Sequence, residues 1–186
     1  MKVVETKIDG VLELRPTRHG DDRGWFSEVW NERALASAGI DLTFVQDNEA
    51  FSKSRGTLRG LHYQVAPFAQ DKLVRAVAGT ILDVAVDLRA GSPTYGQHVA
   101  RELSAEVGNQ LLVPTGFAHG YCTLTADTVI AYKVTNYYSA EHDRGIRWDD
   151  PALGIEWPFD GTEAVLSEKD RAAPLLAELQ EVPFPA

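Results

Sequence analysis

Cysteine is almost missing from this sequence: Cys122 is the only one. No intrachain disulfide can form, which suits a reducing compartment and a fold held together by its core. Long hydrophobic runs are missing too. ILDVAVDL is broken by Asp83 and is far shorter than a membrane span. The opening MKVVETKIDG lacks the apolar stretch of a secretory signal. Basic residues are in the minority, 18 Lys and Arg against 27 Asp and Glu, for a formal net charge of −9. No basic arm or Lys/Arg run occurs, so nucleic acid is not an expected partner. These absences predict a cytoplasmic protein with no membrane partner. They leave room for an anionic ligand, because a few clustered cations can set a local field.

What is present reads as one domain over residues 1–186, long enough for a substantial core. No internal repeat, low-complexity tract or linker interrupts it. Short apolar or alternating runs recur between turn residues, the pattern of an all-β sandwich or barrel, and a jelly roll is one way to close it. Strands are predicted at 11–15, 25–30, 44–48, 57–64, 72–78, 81–88, 98–104, 110–113, 120–124 and 128–137. Ala78-Gly79-Thr80 reads as a hairpin turn, and GSPTYG (91–96) as a loop. Two short helices are expected. NERALASAG has Asn31 as N-cap and Gly39 as stop, and Pro174 can open a helix through PLLAELQE.

The chemistry concentrates in LRGLHYQ (58–64), where a predicted strand carries Arg59, His62 and Gln64. Metal-binding barrels of the cupin type use a His-x-His pair. Here Gln64 replaces the second histidine, and an amide is a poor transition-metal ligand. His62 is better suited to proton transfer, since imidazole titrates near neutrality. Taken alone, a strand histidine is as readily a packing residue. Arg59 and Lys72 nearby suit an anionic ligand, although lone cations usually lie on the surface. Strict alternation puts Arg59 and His62 on opposite faces, and Gly60 between them allows a bulge that would reunite them. Further on, Tyr132 is either a core tyrosine or an acid that returns a proton. His119 lies in the Gly-bounded PTGFAHG, read as a loop. In LSEKD (166–170), Lys169 and Asp170 are either solvated surface or, for Asp170, a group that orients a histidine.

Together the motifs resemble the dTDP-4-dehydrorhamnose 3,5-epimerase family. The matching stretches are DDRGWFSEVW (21–30), FVQDN (44–48), GTLRGLHYQ (56–64), QDKLVRAVAG (70–79), DVAVDLRAGSPTYG (83–96), VPTGFAHG (113–120), YKVTNYYSAEHDRGIRWDDPALGIEWP (132–158) and LSEKD (166–170). They cover nearly the whole chain in the family's order. The resemblance implies a cupin-like jelly roll and a homodimer that needs no metal or cofactor. It implies inversion of C3 and C5 of dTDP-4-dehydro-6-deoxy-D-glucose, a step toward dTDP-L-rhamnose for polysaccharides. By the same resemblance His62 is the general base with Asp170 as its partner, Tyr132 is the general acid, and Lys72 lies near the C4 oxygen. Arg23, Phe26, Glu28, Gln46, Asp47, Asn48, Arg59, His119 and Lys169 bind the nucleotide sugar, with Arg23 and Glu28 reaching the other subunit's site. Tyr138 stacks on thymine. Asp143 stands where the family usually has Glu, one methylene longer. Rival readings are a C3-only epimerase of the same family, a sugar ketoisomerase, a non-catalytic nucleotide-sugar binding module, and a metal-dependent cupin oxygenase. The ketoisomerase should lack Tyr132. A binding module should have lost the base or the acid.

Overall fold

The computed structural model describes residues 1–159, 164–179 and 183–184. The chain begins with β1 (Lys2–Glu5), β2 (Leu12–Arg15), β3 (Arg18–Asp21) and β4 (Gly24–Ser27), followed by α1 (Glu32–Ser37). The middle supplies β5 (Gln46–Ser52), β6 (Leu58–Gln64), β7 (Lys72–Ala78), β8 (Thr80–Asp87), β9 (His98–Ser104), β10 (Gln110–Val113), β11 (Phe117–Thr123) and β12 (Thr128–Val134). A short β13 (Asp143–Gly145) and α2 (Glu168–Arg171) complete the elements. Two antiparallel sheets face each other, a six-stranded β1-β2-β10-β7-β12-β5 and a five-stranded β13-β6-β11-β8-β9. A separate β3–β4 hairpin stands apart from both. This is the sandwich that the strand pattern predicts, closed as the cupin-like jelly roll that the resemblance implies.

Alternation sorts the side chains into layers. Val74, Leu111 and Ile130 from one sheet meet Ile81, Ala85, Val99, Leu103 and Phe117 from the other, forming the inner core. The outer face of the five-stranded sheet is covered by the C-terminal segment through Ile146, Leu153 and Leu176. On the outer face of the six-stranded sheet, Leu35 of α1 and Ile40 pack on Leu14, Leu73 and Leu112. Asn31 caps α1 as expected, its side chain accepting from the Ala34 N–H at 3.1 Å.

Several sequence expectations change. Ala78-Gly79-Thr80 is no hairpin: β7 lies in the six-stranded sheet and β8 in the five-stranded one, so the turn carries the chain between layers. The strand expected at 25–30 is shorter and pairs with β3 around a tight turn, Asp21 opposite Gly24. The helix expected from Pro174 is only a single 3-10 turn over Leu176–Glu178. Its amides are taken by side chains instead, Leu176 N–H by Asp150 at 2.7 Å and Leu175 N–H by Glu178 at 2.8 Å. The last two residues of that expected helix lie outside the described residues. His119 sits within β11, not in a loop. The glycine after it serves close approach: a Cβ on Gly120 would come within 2.7 Å of the Arg59 carbonyl oxygen.

Candidate active site

A cavity of about 280 Å³ opens between the two sheets, and side chains from both walls meet in it. β6 contributes Arg59 and His62 together. Opposite it on β11, His119 pairs with His62 and Tyr121 with Arg59, so two residues on β6, Gly60 and Leu61, stand against one on β11, Gly120. This is the bulge that Gly60 allows. It turns Leu61 to the outer core and both polar side chains inward.

His62 is held from behind. Its Nε2 lies 2.5 Å from Asp170 Oδ1. A carboxylate only accepts, so the contact makes Nε2–H the donor and leaves Nδ1 as the basic nitrogen. Asp170 reaches this place because the chain is tied to β6 just upstream: Leu58 N–H donates to the Val165 carbonyl at 3.0 Å. Ser167 then caps α2 and donates its hydroxyl to Asp170 Oδ2 at 2.8 Å. Burial would raise the Asp170 pKa. The His62 hydrogen bond and charge, the Ser167 hydroxyl and the Lys169 ammonium outweigh burial and hold it below the ordinary value.

The facing wall is β12, which presents Tyr132 with Ile130. Burial raises the Tyr132 pKa against the pull of Arg59, and Asp143 adds to the rise, so its phenol is a neutral proton donor. Lys72 begins β7 beside these groups, its Nζ donating to the His62 carbonyl at 3.4 Å. Burial pushes its pKa down to about 8, opposed by Asp143 and Asp83 and assisted by Lys169. His119 is buried, with Nε2 2.8 Å from Asp83 Oδ1. At the cavity's edge Lys169 pairs with Asp143, which also accepts from the Tyr138 hydroxyl at 3.2 Å. Tyr138 N–H donates to Gln46 at 3.3 Å, and Gln46 donates to Asn48 at 2.7 Å. Contacts thus run from the cavity outward along β5.

Four sequence-predicted residues stand apart. Alternation turns Asp47 to the opposite face of β5, where it pairs with Lys133 at 2.8 Å and does not line the cavity. Arg23, Phe26 and Glu28 lie on or just after the β3–β4 hairpin, exposed and outside the cavity of their own chain. Three neighbours escaped the sequence reading: Tyr121, Ser167 and Asp83. Asp83 had a signal, a carboxylate in the middle of an apolar strand. Tyr121 had one too, the alternation that puts it on the face of His119. Gln64 is fully engaged with main chain, donating to Phe68 and Tyr137 carbonyls and accepting from Ser139 N–H. Among the described residues no three His, Cys, Asp or Glu converge as a metal site, and no helix is long and apolar enough to cross a membrane.

An oriented imidazole on one wall, a neutral phenol on the other and an ammonium between them can move protons on two faces of one molecule. The chain is similar to proteins in which such chemistry is named. The family model described as dTDP-4-dehydrorhamnose 3,5-epimerase matches residues 5–178. A protein of that name from Sinorhizobium fredii is 57% identical over 179 residues, covering 96% of this chain and 89% of the relative. The Legionella pneumophila dTDP-6-deoxy-D-glucose-3,5-epimerase, solved with dTDP-4-keto-L-rhamnose, superposes with TM-score 0.93 at 44% identity, over 99% of this chain and 97% of that one. A 3′-monoepimerase from Streptomyces bikiniensis, solved with dTDP-quinovose, matches with TM-score 0.89 at 34% identity, over 97% of this chain and 91% of that one.

Proposed function

Because this chain belongs to the dTDP-4-dehydrorhamnose 3,5-epimerase family, we propose that it inverts C3 and C5 of dTDP-4-dehydro-6-deoxy-D-glucose to give dTDP-4-dehydro-L-rhamnose. The observation that carries the reading is the His62–Asp170 pair facing Tyr132, with Lys72 beside them.

Both carbons flank the C4 ketone, so loss of either proton leaves an enolate with its charge on the C4 oxygen. His62 Nδ1 takes the proton on one face, and Asp170 stabilises the imidazolium that results. Tyr132 returns a proton from the other face, which makes the outcome an inversion. The Lys72 ammonium meets charge that appears only along the reaction, so it lowers the barrier without merely tightening binding. Each positioned acid or base contributes roughly 10²–10⁴-fold. No metal or cofactor enters these steps.

The diphosphate falls to Arg59 and His119, and Lys169 lines the same site. Tyr138 stacks on the thymine, and Gln46 and Asn48 hold the nucleotide. Asp47 contributes through main chain on the free edge of β5. Asp143 acts through Lys169 and Tyr138, within reach despite its shorter side chain. Arg23, Phe26 and Glu28 serve the site of a second subunit in a homodimer. One domain spans the chain, and the reaction belongs in the cytoplasm, toward dTDP-L-rhamnose. A C3-only epimerase is the second reading, favoured by the similarity to the S. bikiniensis monoepimerase.

Incubation with the substrate in D₂O, followed by NMR, tests both. Deuterium and inversion at C3 and C5 is the expected result. Inversion at C3 alone selects the second reading, and no exchange removes both. His62→Ala should abolish exchange at either carbon while dTDP still binds. Near-native turnover in that variant would remove His62 as the base.

A further inference from the structure

The proposed reaction gives tasks to Arg59 and His62 of LRGLHYQ and none to Gln64. Gln64 is only 5% exposed, so its amide needs partners inside the protein. Its Nε2 donates to the carbonyls of Phe68 at 2.7 Å and Tyr137 at 3.1 Å, and its Oε1 accepts from the Ser139 N–H at 2.6 Å. A carboxamide offers donors and an acceptor on one flat head. A glutamate would only accept, and a methionine of similar length would replace neither role.

The contacts with Tyr137 and Ser139 bracket Tyr138. Residues 137–139 belong to no strand or helix, and side-chain amides take the place of a ladder. Asn136 Oδ1 accepts from the Tyr137 N–H at 2.9 Å, and Gln46 accepts from the Tyr138 N–H at 3.3 Å. Asn136 is itself tied down: its side chain donates to the Pro67 carbonyl at 2.9 Å, and its carbonyl accepts from Gln70 at 2.7 Å. The main chain is thus held on both sides of a Tyr138 that is 61% exposed. The ring is also tied to the cavity mouth, because its hydroxyl donates to Asp143, the partner of Lys169 on the cavity wall. Gln64 stands directly opposite Asp143 in the β6–β13 register. An exposed aromatic ring on a fixed backbone is a flat surface ordered before any ligand arrives, so binding does not bear that ordering cost.

We propose that Gln64 is a positioning residue for nucleotide binding, its amide holding the main chain of 137–139 so that the Tyr138 ring is preset to receive the base. Strand β6 then serves both ends of the ligand, through His62 at the sugar and through Gln64 and Tyr138 at the base. The assignment rests on the nucleotide-sugar reading above, with its stacking of Tyr138, but not on the number of centres inverted. The test is a double-mutant cycle of Gln64→Met with Tyr138→Ala, read as Kd for dTDP. Gln64→Met alone should raise Kd about fivefold, with KM for the 4-keto sugar nucleotide rising in parallel and kcat changed less than about twofold. In the Tyr138→Ala background the same substitution should change Kd less than about twofold. If the methionine variant does not fold, Gln64→Glu serves in its place, since it keeps the bond from Ser139, and its added charge acts alike in both backgrounds. An equal rise in both backgrounds overturns the assignment, because a merely structural glutamine would weaken binding whether or not the ring is there. Native affinity in the Gln64 variant, or in Tyr138→Ala alone, overturns it as well. Failure of the nucleotide-sugar reading looks different, since the native protein itself would then leave dTDP unbound.

Discussion

Lys72 joins electrostatics to chemistry at a single side chain. Burial lowers its pKa to about 8 from 10.5. Below pH 8 the ammonium is present to meet enolate charge, and above it the group is neutral. Activity should therefore fall through one ionisation near pH 8. Lys72→Arg keeps its charge across the accessible range, so this limb should vanish from the pH profile of kcat, whatever the variant's absolute rate. A limb that stays near pH 8 in the arginine variant would belong to another group. Stability moves the opposite way. Between pH 8 and 10.5 the unfolded chain binds the proton that the folded one has released, so this residue's contribution to stability rises with pH. The charge that the proposed reaction needs is thus held where folding disfavours it.

At the level of the element, β6 is the strand on which the site depends. Gly60 has φ of +131°, and a Cβ there would stand 2.5 Å from Gly120 Cα. That neighbour is backbone and cannot swing away. Gly60→Ala should lower unfolding stability by about 2–5 kcal/mol, the sum of a strained backbone and an overpacked contact. Gly91 is the control: its φ is +75°, but nothing lies within 4 Å of its Cβ position. Gly91→Ala should cost about 1 kcal/mol in the same urea titration. Equal losses would mean that the close approach of β6 and β11 does not limit the fold. The 91–96 loop is anchored instead by Asp87, which accepts from Arg89 N–H, the Arg89 side chain, Ser92 Oγ and Thr94 Oγ1. Those bonds hold the Asp87 pKa well below the carboxylate range despite its burial. The SPTYG motif is thereby a structural clasp, remote from the cavity.

The whole molecule carries a net charge of −9, yet Arg59, Lys72 and Lys169 converge in one cavity. A cation-lined cleft between apolar walls focuses the field and attracts an anion regardless of the overall sign. The β3–β4 hairpin is the other large-scale feature. It leaves Trp25 59% and Phe26 70% exposed, with Arg18 stacked 3.9 Å from the Trp25 ring centre. A hairpin tied to the sandwich through Arg18, which donates to the Ala105 carbonyl at 2.6 Å, and carrying two exposed aromatics suits a second copy of the chain. Sedimentation should give two chains per particle. If Arg23 and Glu28 serve the neighbour's site as proposed, Phe26→Ser should shift the balance toward monomer and raise KM. A native protein that sediments as a monomer at full activity would remove the shared site.

The sequence by itself determined the layers and the chemistry types. Period-two alternation in β7, β8 and β12 sets which side chains face inward, and this is local enough to read from spacing. The β6 motif singled out His62 and its cationic surroundings, and the resemblance of whole motifs supplied the roles proposed for His62, Tyr132 and Asp170. Three things were decided only by tertiary structure. The bulge at Gly60 reunites Arg59 with His62, and its cause is a backbone contact with Gly120, 60 residues away. The delivery of Asp170 to His62 depends on the Val165 tether and the Ser167 cap, across a separation of 108 positions. The loop reading of His119 failed because glycines that mark turns and glycines that permit close packing look alike in one dimension. Asp47 and Asn48 are adjacent in sequence and lie on opposite faces of one strand, so a run of motif residues does not by itself say which of them meet the ligand. Local pattern decides what a residue is and which way it faces. Only the packing of distant segments decides what it meets.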